Sequence, residues 1–232
     1  MNTEKEVMEN DVETLKKEKQ NDEPKGELVA VERRYYINQE FSDKLANDFC
    51  EWADNVIEFD ELWEEQYPEK PLLPVVVTIS SRGGTVDALN QMLDALDDLR
   101  CPIITEVRGF SYSCGAFLFM RGDIRIAGKN SRIMYHQILY GADGNLQEHK
   151  ENYEESVRLM KSIDTMITCR TGIPQKLLDR VKKEKRDWFM TREECLNYGV
   201  INFDGNLRDV YDELFAEEEI NNKDTEETDE VE

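Results

Sequence analysis

The run Val75-Val76-Val77-Thr78-Ile79-Ser80 constrains this chain more than any other stretch. It is rich in β-branched residues and shows no polar-apolar alternation, which is the pattern of a strand covered on both faces. Ser81-Arg82-Gly83-Gly84-Thr85 then breaks the strand. From 86 to 99, Val86, Leu89, Met92, Leu93, Leu96 and Leu99 recur at steps of three and four, so they share one face of a helix. Thr85 stands where that helix needs an N-cap. A buried strand feeding an amphipathic helix through a short glycine loop is the repeating unit of an α/β domain.

The pattern recurs along the chain. Strands are expected over 33–38, 102–107, Ile124 to Gly128 and 131–136. A helix is expected over 42–59, with Leu45, Phe49, Trp52, Val56 and Phe59 on one side, and a short apolar one starts at Ser113. A long helix over 145–169 carries Tyr153, Val157, Met160, Ile163 and Ile167 in one stripe, and Gly172-Ile173-Pro174 ends it before another helix over 175–183. The segments 187–191 and 192–201 close the domain.

The 232 residues suit one domain of ordinary size, and its apolar content lies between about Leu28 and Leu214. The expected organisation is a charged, disordered extension over 1–27, a folded domain over 28–212 and an acidic, disordered tail over 213–232. A net charge of −22 argues against nucleic acid and anionic membrane as partners. No apolar run reaches the length of about 18 residues that a membrane span requires. The N-terminus has no apolar core of a secretory signal. Five cysteines without a CxxC motif or regular spacing fit reduced thiols and a cytoplasmic location.

Candidate chemistry starts at Arg108-Gly-Phe-Ser-Tyr-Ser-Cys-Gly-Ala-Phe-Leu-Phe-Met120. Ser113 falls between a strand and an apolar helix, where unpaired N–H groups and a partial positive charge can meet an oxyanion. Its position suits either a helix cap or a nucleophile, and the N–H of Cys114 would be the first donor. Gly83-Gly84 is either a plain turn or a second source of donors, since glycine lets the backbone approach a ligand closely. The loop lacks the lysine of a phosphate cradle. The chain has two histidines. His149 lies among polar residues, whereas His136 ends an apolar strand, as a structural residue or as a base for Ser113. Asp187 borders Trp188-Phe189, and a partly buried carboxylate there would orient an imidazole. Its other reading is a strand-edge cap paired with Arg186.

Four blocks, "ISSRGGTVDALNQMLDAL", "GFSYSCGAFLFMRG", "NSRIMYHQ" and "RDWFMTREECLNYGVI", occur in the order and near the spacing of one family. Over roughly 34–203 the chain resembles the Clp protease proteolytic subunit family. The resemblance implies an α/β fold of the ClpP/crotonase-like kind, a spiral of strand-strand-helix units with 145–169 as a protruding handle helix. It implies Ser113 as nucleophile, His136 as general base and Asp187 as orienting acid. It makes Gly84 and Cys114 the oxyanion-hole donors, with Gly83 beside them. It further implies a serine endopeptidase acting on unfolded polypeptides or peptides, inside a homo-oligomeric ring of which two would stack. A Clp-type ATPase would deliver folded substrates, and neither metal nor organic cofactor is implied.

The chain departs from the family's usual residues at Arg82 and Ile138, where proline is common, at Cys114, where methionine is common, and at Lys185, where an acid is common. The stretches 1–27 and 60–70 are longer than the family norm. Two other readings keep the fold: a non-proteolytic structural paralogue of the ring, and a crotonase-like enzyme acting on acyl-thioesters. A virus-encoded, capsid-processing version is an alternative of context.

Overall fold

The computed structural model describes residues 31–216 apart from 140 and 142. The extension over 1–27 and the chain beyond 216 lie outside the described residues. Six strands form one sheet: β1 (Arg34–Ile37), β2 (Val75–Ser81), β3 (Ile103–Tyr112), β4 (Ile124–Ala127), β5 (Arg132–Tyr135) and β6 (Trp188–Met190). Seven helices accompany them among the described residues: α1 (Asp43–Gln66), α2 (Val86–Asp98), α3 (Cys114–Arg121), α4 (Leu146–Arg170), α5 (Gln175–Lys183), α6 (Arg192–Asn197) and α7 (Leu207–Leu214). The expected α/β, ClpP-like fold is the one observed.

The sheet runs β1-β2-β3-β5-β6, and β4 also pairs with β3. All pairings are parallel except β5 with β6. Strand β3 is longer than the sequence suggests, and its length has a purpose. Its first half pairs with β4, from Ile104 opposite Ile124 to Val107 opposite Ala127. Its second half, Phe110 to Tyr112, pairs with β5. One strand thus serves two neighbours in succession, and Ser113 follows at its end.

The core explains why the runs read as buried. Val75, Val77 and Ile79 face helices α1 to α4, and Cys114 to Met120 of α3 are almost wholly enclosed. A helix apolar on every side belongs at the centre of a domain. On the opposite face of the sheet, Val76, Ile104 and Ile126 pack on Val210 of α7. Helix α7 was not expected from the sequence, and it crosses the boundary read at 212. It has an Asn206–Asp209 capping box and the spacing Leu207, Val210, Tyr211, Leu214. Helix α1 runs seven residues beyond the 59 expected, to Gln66.

Helix α4 divides in two. Met160, Ile163 and Ile167 are buried, while Tyr153 and Val157, on the same stripe, are 60% and 49% exposed. The buried carboxylate of Asp164 anchors the C-terminal half. It accepts from Tyr135 Oη at 2.8 Å and from Gln175 Nε2 at 3.1 Å, and it pairs with Lys182. The N-terminal half projects from this anchor.

Candidate active site

Ser113 is reached from both sides by regular structure. Strand β3 ends at Tyr112, α3 begins at Cys114, and Ser113 between them has φ 53° and ψ −125°. This backbone is strained for a residue with a side chain. It persists because its neighbours fix it: the Ser113 N–H donates to Met134 O at 3.0 Å, and Ser113 O accepts from Phe117 N at 3.0 Å. Strained residues of this kind concentrate at functional sites. Ser113 is the N-cap of α3 by position, yet its side chain caps no helix N–H. Its hydroxyl is not committed to the helix.

The glycine loop packs directly against this turn. A Cβ on Gly83 would lie 2.8 Å from Ser113 Cβ and 3.1 Å from Cys114 N, and Gly83 has φ +99°. No other residue fits there. Gly84 lies beside the backbone of Phe41, which it would strike with any side chain. Phe41 N donates to Gly83 O at 2.9 Å, and Thr85 N donates to Phe41 O at 3.0 Å. The loop is therefore held by a single parallel bridge to Phe41, which is more than a turn. Thr85 is the N-cap of α2, but its hydroxyl makes no capping bond and instead points toward Phe41 O.

Of the three residues expected at the oxyanion hole, Gly83, placed beside the two donors, has its own N–H engaged. Gly83 N–H donates to Ser81 Oγ at 3.2 Å. Among the described residues, the N–H groups of Gly84 and Cys114 have no such partner. The Cys114 thiol is buried and lies 3.4 Å from Gly84 O and 3.7 Å from Thr85 O, so it ties the two donor segments together. Burial pushes this thiol up from its ordinary pKa, which keeps it protonated.

His136 and Asp187 meet across an antiparallel pair. Tyr135 stands opposite Trp188 in the β5–β6 register, so the next residues, His136 and Asp187, face each other just beyond it. His136 Nδ1 and Asp187 Oδ1 are 3.7 Å apart, longer than a hydrogen bond. Burial lowers the His136 pKa below its ordinary value, and the Asp187 carboxylate acts in the opposite direction. The imidazole is therefore held neutral at neutral pH.

Asp187 differs from the expectation of partial burial: its side chain is 58% exposed. Edge strand β6 alternates, with Trp188 and Met190 inward and Phe189 outward, and Asp187 takes the outward side with Phe189. Among the described residues no ion pair joins Asp187 to Arg186, whose Nε lies 3.8 Å from Glu184. Lys185, before them, has φ 50° and turns the chain into the strand. No hydrogen bond joins Ser113 to His136 among the described residues, although Ser113 N bonds to the strand that carries His136 two residues on. His149 is exposed in the first turn of α4.

Some of what supports this site escaped sequence reasoning. Ser81 Oγ accepts from Gly83 N and donates to Gln39 O at 2.6 Å, which fixes the loop's entry. The Tyr135–Asp164 bond steadies the residue before His136 from 29 positions away. Neither partner can be found from local pattern alone. The sequence matches the family described as Clp protease over residues 23–203, well over half its length, and the chain therefore belongs to the Clp protease family of peptidases.

Proposed function

We propose that this chain is a serine endopeptidase subunit in which Ser113 is the nucleophile, His136 the general base and Asp187 the orienting acid. The observation that carries this reading is the strained Ser113 turn, whose hydroxyl caps no helix N–H and stands beside the amides of Gly84 and Cys114. In acylation, Ser113 Oγ bonds to the scissile carbonyl carbon and its proton passes to His136 Nε2. The carbonyl oxygen becomes an oxyanion, and the Gly84 and Cys114 N–H groups stabilise it. The intermediate collapses as the C–N bond breaks and the imidazolium gives its proton to the leaving amine. Water then enters by the same route and releases the acyl group. Asp187 accepts the Nδ1–H, selecting the tautomer with a free Nε2 and stabilising the imidazolium. This chemistry requires no cofactor.

The reading includes a homo-oligomeric ring, with two rings stacked through the projecting half of α4. Exposed Tyr153 and Val157 support it, since they extend an otherwise buried stripe and face no core of their own. The open His136–Asp187 separation supports it as well: a neighbouring subunit covering the 184–187 edge would exclude water and draw the pair together. The substrates are unfolded polypeptides and peptides, and a Clp-type ATPase would supply unfolded chains. A fluorophosphonate probe on the assembled protein tests the chemistry. Labelling confined to Ser113, and lost in Ser113→Ala, is the expected result. No labelling of the assembled particle would favour a structural ring subunit.

A further inference from the structure

We propose that the face of the sheet beside α7 is a docking surface for the chain's own acidic C-terminal segment, residues 217–232. The surface begins where the α7 packing ends. Val76 and Ile104 meet Val210, and two residues further along the same strands stand Thr78 and Glu106. Glu106 is nearly buried, and two arginines share its carboxylate. Arg34 pairs with Oε2, and Arg108 Nε lies 2.9 Å from Oε1. Arg34 also donates to Thr78 Oγ1 at 2.9 Å, and its guanidinium lies 4.9 Å from the ring of Tyr36, which is exposed. Two cations thus meet one carboxylate, and Arg108 keeps 59% of its side chain in solvent. Further along β3, Arg82 lies over Phe110 and Arg132 over Tyr112. Neither of these arginines forms an ion pair among the described residues. In a chain of net charge −22, a local excess of positive charge is unusual.

The occupant follows from where the chain goes next. Helix α7 packs Tyr211 against Val76 and Ile104, the residues that precede Thr78 and Glu106 on this face; burial raises its phenol above the ordinary value, while Arg34 and Arg33 act in the opposite direction. Phe215 stacks on Tyr211 at 6.1 Å, and Glu217-Glu218-Glu219 follow at once. Residues 217–232 hold nine acids against one lysine. Each residue of extended chain spans about 3.3–3.6 Å, so a segment of this length can extend about 50 Å from the end of α7. A tethered segment of this length meets its site at an effective concentration of order millimolar, which makes several weak charge pairs sufficient for occupancy. Bidentate guanidinium–carboxylate pairing suits Arg108 in particular, because its exposed edge has donors to spare.

Two measurements on the full chain test this proposal, and neither depends on peptidase activity. In the first, Arg108→Lys supplies an amine that a zero-length carbodiimide can join to a touching carboxylate. Peptide mapping should find position 108 linked to an acid within 217–232, in low salt and several-fold less in about 1 M salt, where the screening length is roughly 3 Å. In the second, an arginine-selective dicarbonyl should modify Arg108 several-fold faster in a chain ending at Ala216 than in the full chain. Links to Glu106 alone, together with an unchanged modification rate, would overturn the proposal. In a mixture of isotopically light and heavy chains, links that join two chains would overturn it in favour of a second copy as the occupant.

Discussion

The two halves of the candidate site are built to different tolerances. Around Ser113 the chain leaves almost no freedom. The strained turn is pinned by Met134 O and Phe117 N, Gly83 closes against it, and Cys114 is 1% exposed beneath. Around Asp187 the chain leaves much. The carboxylate stands just before an edge strand, largely in water, 3.7 Å from its imidazole and preceded by a turn through Lys185. One half is determined by the fold of a single chain, and the other has room for a neighbour to complete it. In the proposed ring, a neighbouring subunit would complete this second half, which would suit a peptidase that must not cut freely in solution.

The largest expected effect tests the determined half. Ser113→Ala should lower peptide hydrolysis by roughly 10⁴–10⁶-fold, as loss of a nucleophile does elsewhere, with sedimentation of the assembled particle unchanged. Gly83→Ala should follow. A methyl group there would collide with Ser113 Cβ at 2.8 Å and would occupy a left-handed φ of +99°. A cost of about 1–3 kcal/mol in stability is expected from the strain alone. Turnover should fall about 10²-fold from displacement of the nucleophile. Thermal unfolding and kinetics of the same sample check both. A variant with wild-type turnover would mean that the tight packing is unrelated to chemistry.

The open half should respond more mildly and more conditionally. Asp187→Asn is expected to cut turnover by roughly 10²–10⁴-fold in the assembled particle, because the imidazole loses the carboxylate that fixes its tautomer. Asp179→Asn and Glu184→Gln should stay within a few-fold. Asp179 pairs with Lys182 at 3.2 Å on the surface, and Glu184 is exposed. Full activity in Asp187→Asn with loss in Glu184→Gln would move the acid to Glu184. The pH profile probes the same pair. Burial lowers the His136 pKa, so the basic form persists below the ordinary histidine value, and the acid limb of kcat/KM should fall below about pH 6.5. Asp187 acts in the opposite direction, so Asp187→Asn should move that limb lower still. The sign for stability agrees. A histidine with a depressed pKa favours the folded state fully above its unfolded pKa, and that contribution is lost as pH falls through the folded value. A limb above pH 7 would mean that Asp187 outweighs burial once the ring forms.

The sequence was informative where structure is local. The strand 75–80 and the helix over 86–99 follow from β-branched runs and three-four spacing, and both are found nearly as read. The juxtaposition of Ser113 with the glycine loop was suggested by residue type and family resemblance, since 29 positions separate Gly84 from Ser113. Charge burial was not legible. Arg125 donates to the carbonyls of Gly122, Arg170, Gly199 and Val200, three of them 45 to 75 positions away, and burial lowers its pKa to about 10. Nothing near Arg125 in sequence signals such a role. Helix α7 escaped notice because its eight residues carry three acids and merge into the acidic end of the chain. Its fourfold apolar spacing only gains meaning once Val76, Ile104 and Ile126 form a surface for it.

The smallest expected effect is the sharpest test of which atom at the tight junction matters. Cys114 adjoins Ser113, and a thiol is intrinsically the better nucleophile, so the two residues are natural rivals. The thiol is enclosed, its pKa is raised by burial, and it faces the carbonyls of Gly84 and Thr85, with the sulfur turned into the protein. A protonated, enclosed thiol attacks poorly. What the proposed chemistry requires of residue 114 is its N–H, which alanine keeps. Cys114→Ala should therefore leave kcat within a few-fold of wild type. Removing the sulfur leaves a small void and two weakened contacts, for a loss of about 1 kcal/mol in stability. Fluorophosphonate labelling of Ser113 should proceed as before in this variant, and a thiol-directed alkylating agent should leave the native enzyme active. Inactivation by that agent, together with loss of turnover in Cys114→Ala, would transfer the nucleophile from Ser113 to Cys114 and would require the loop at Gly84 to open.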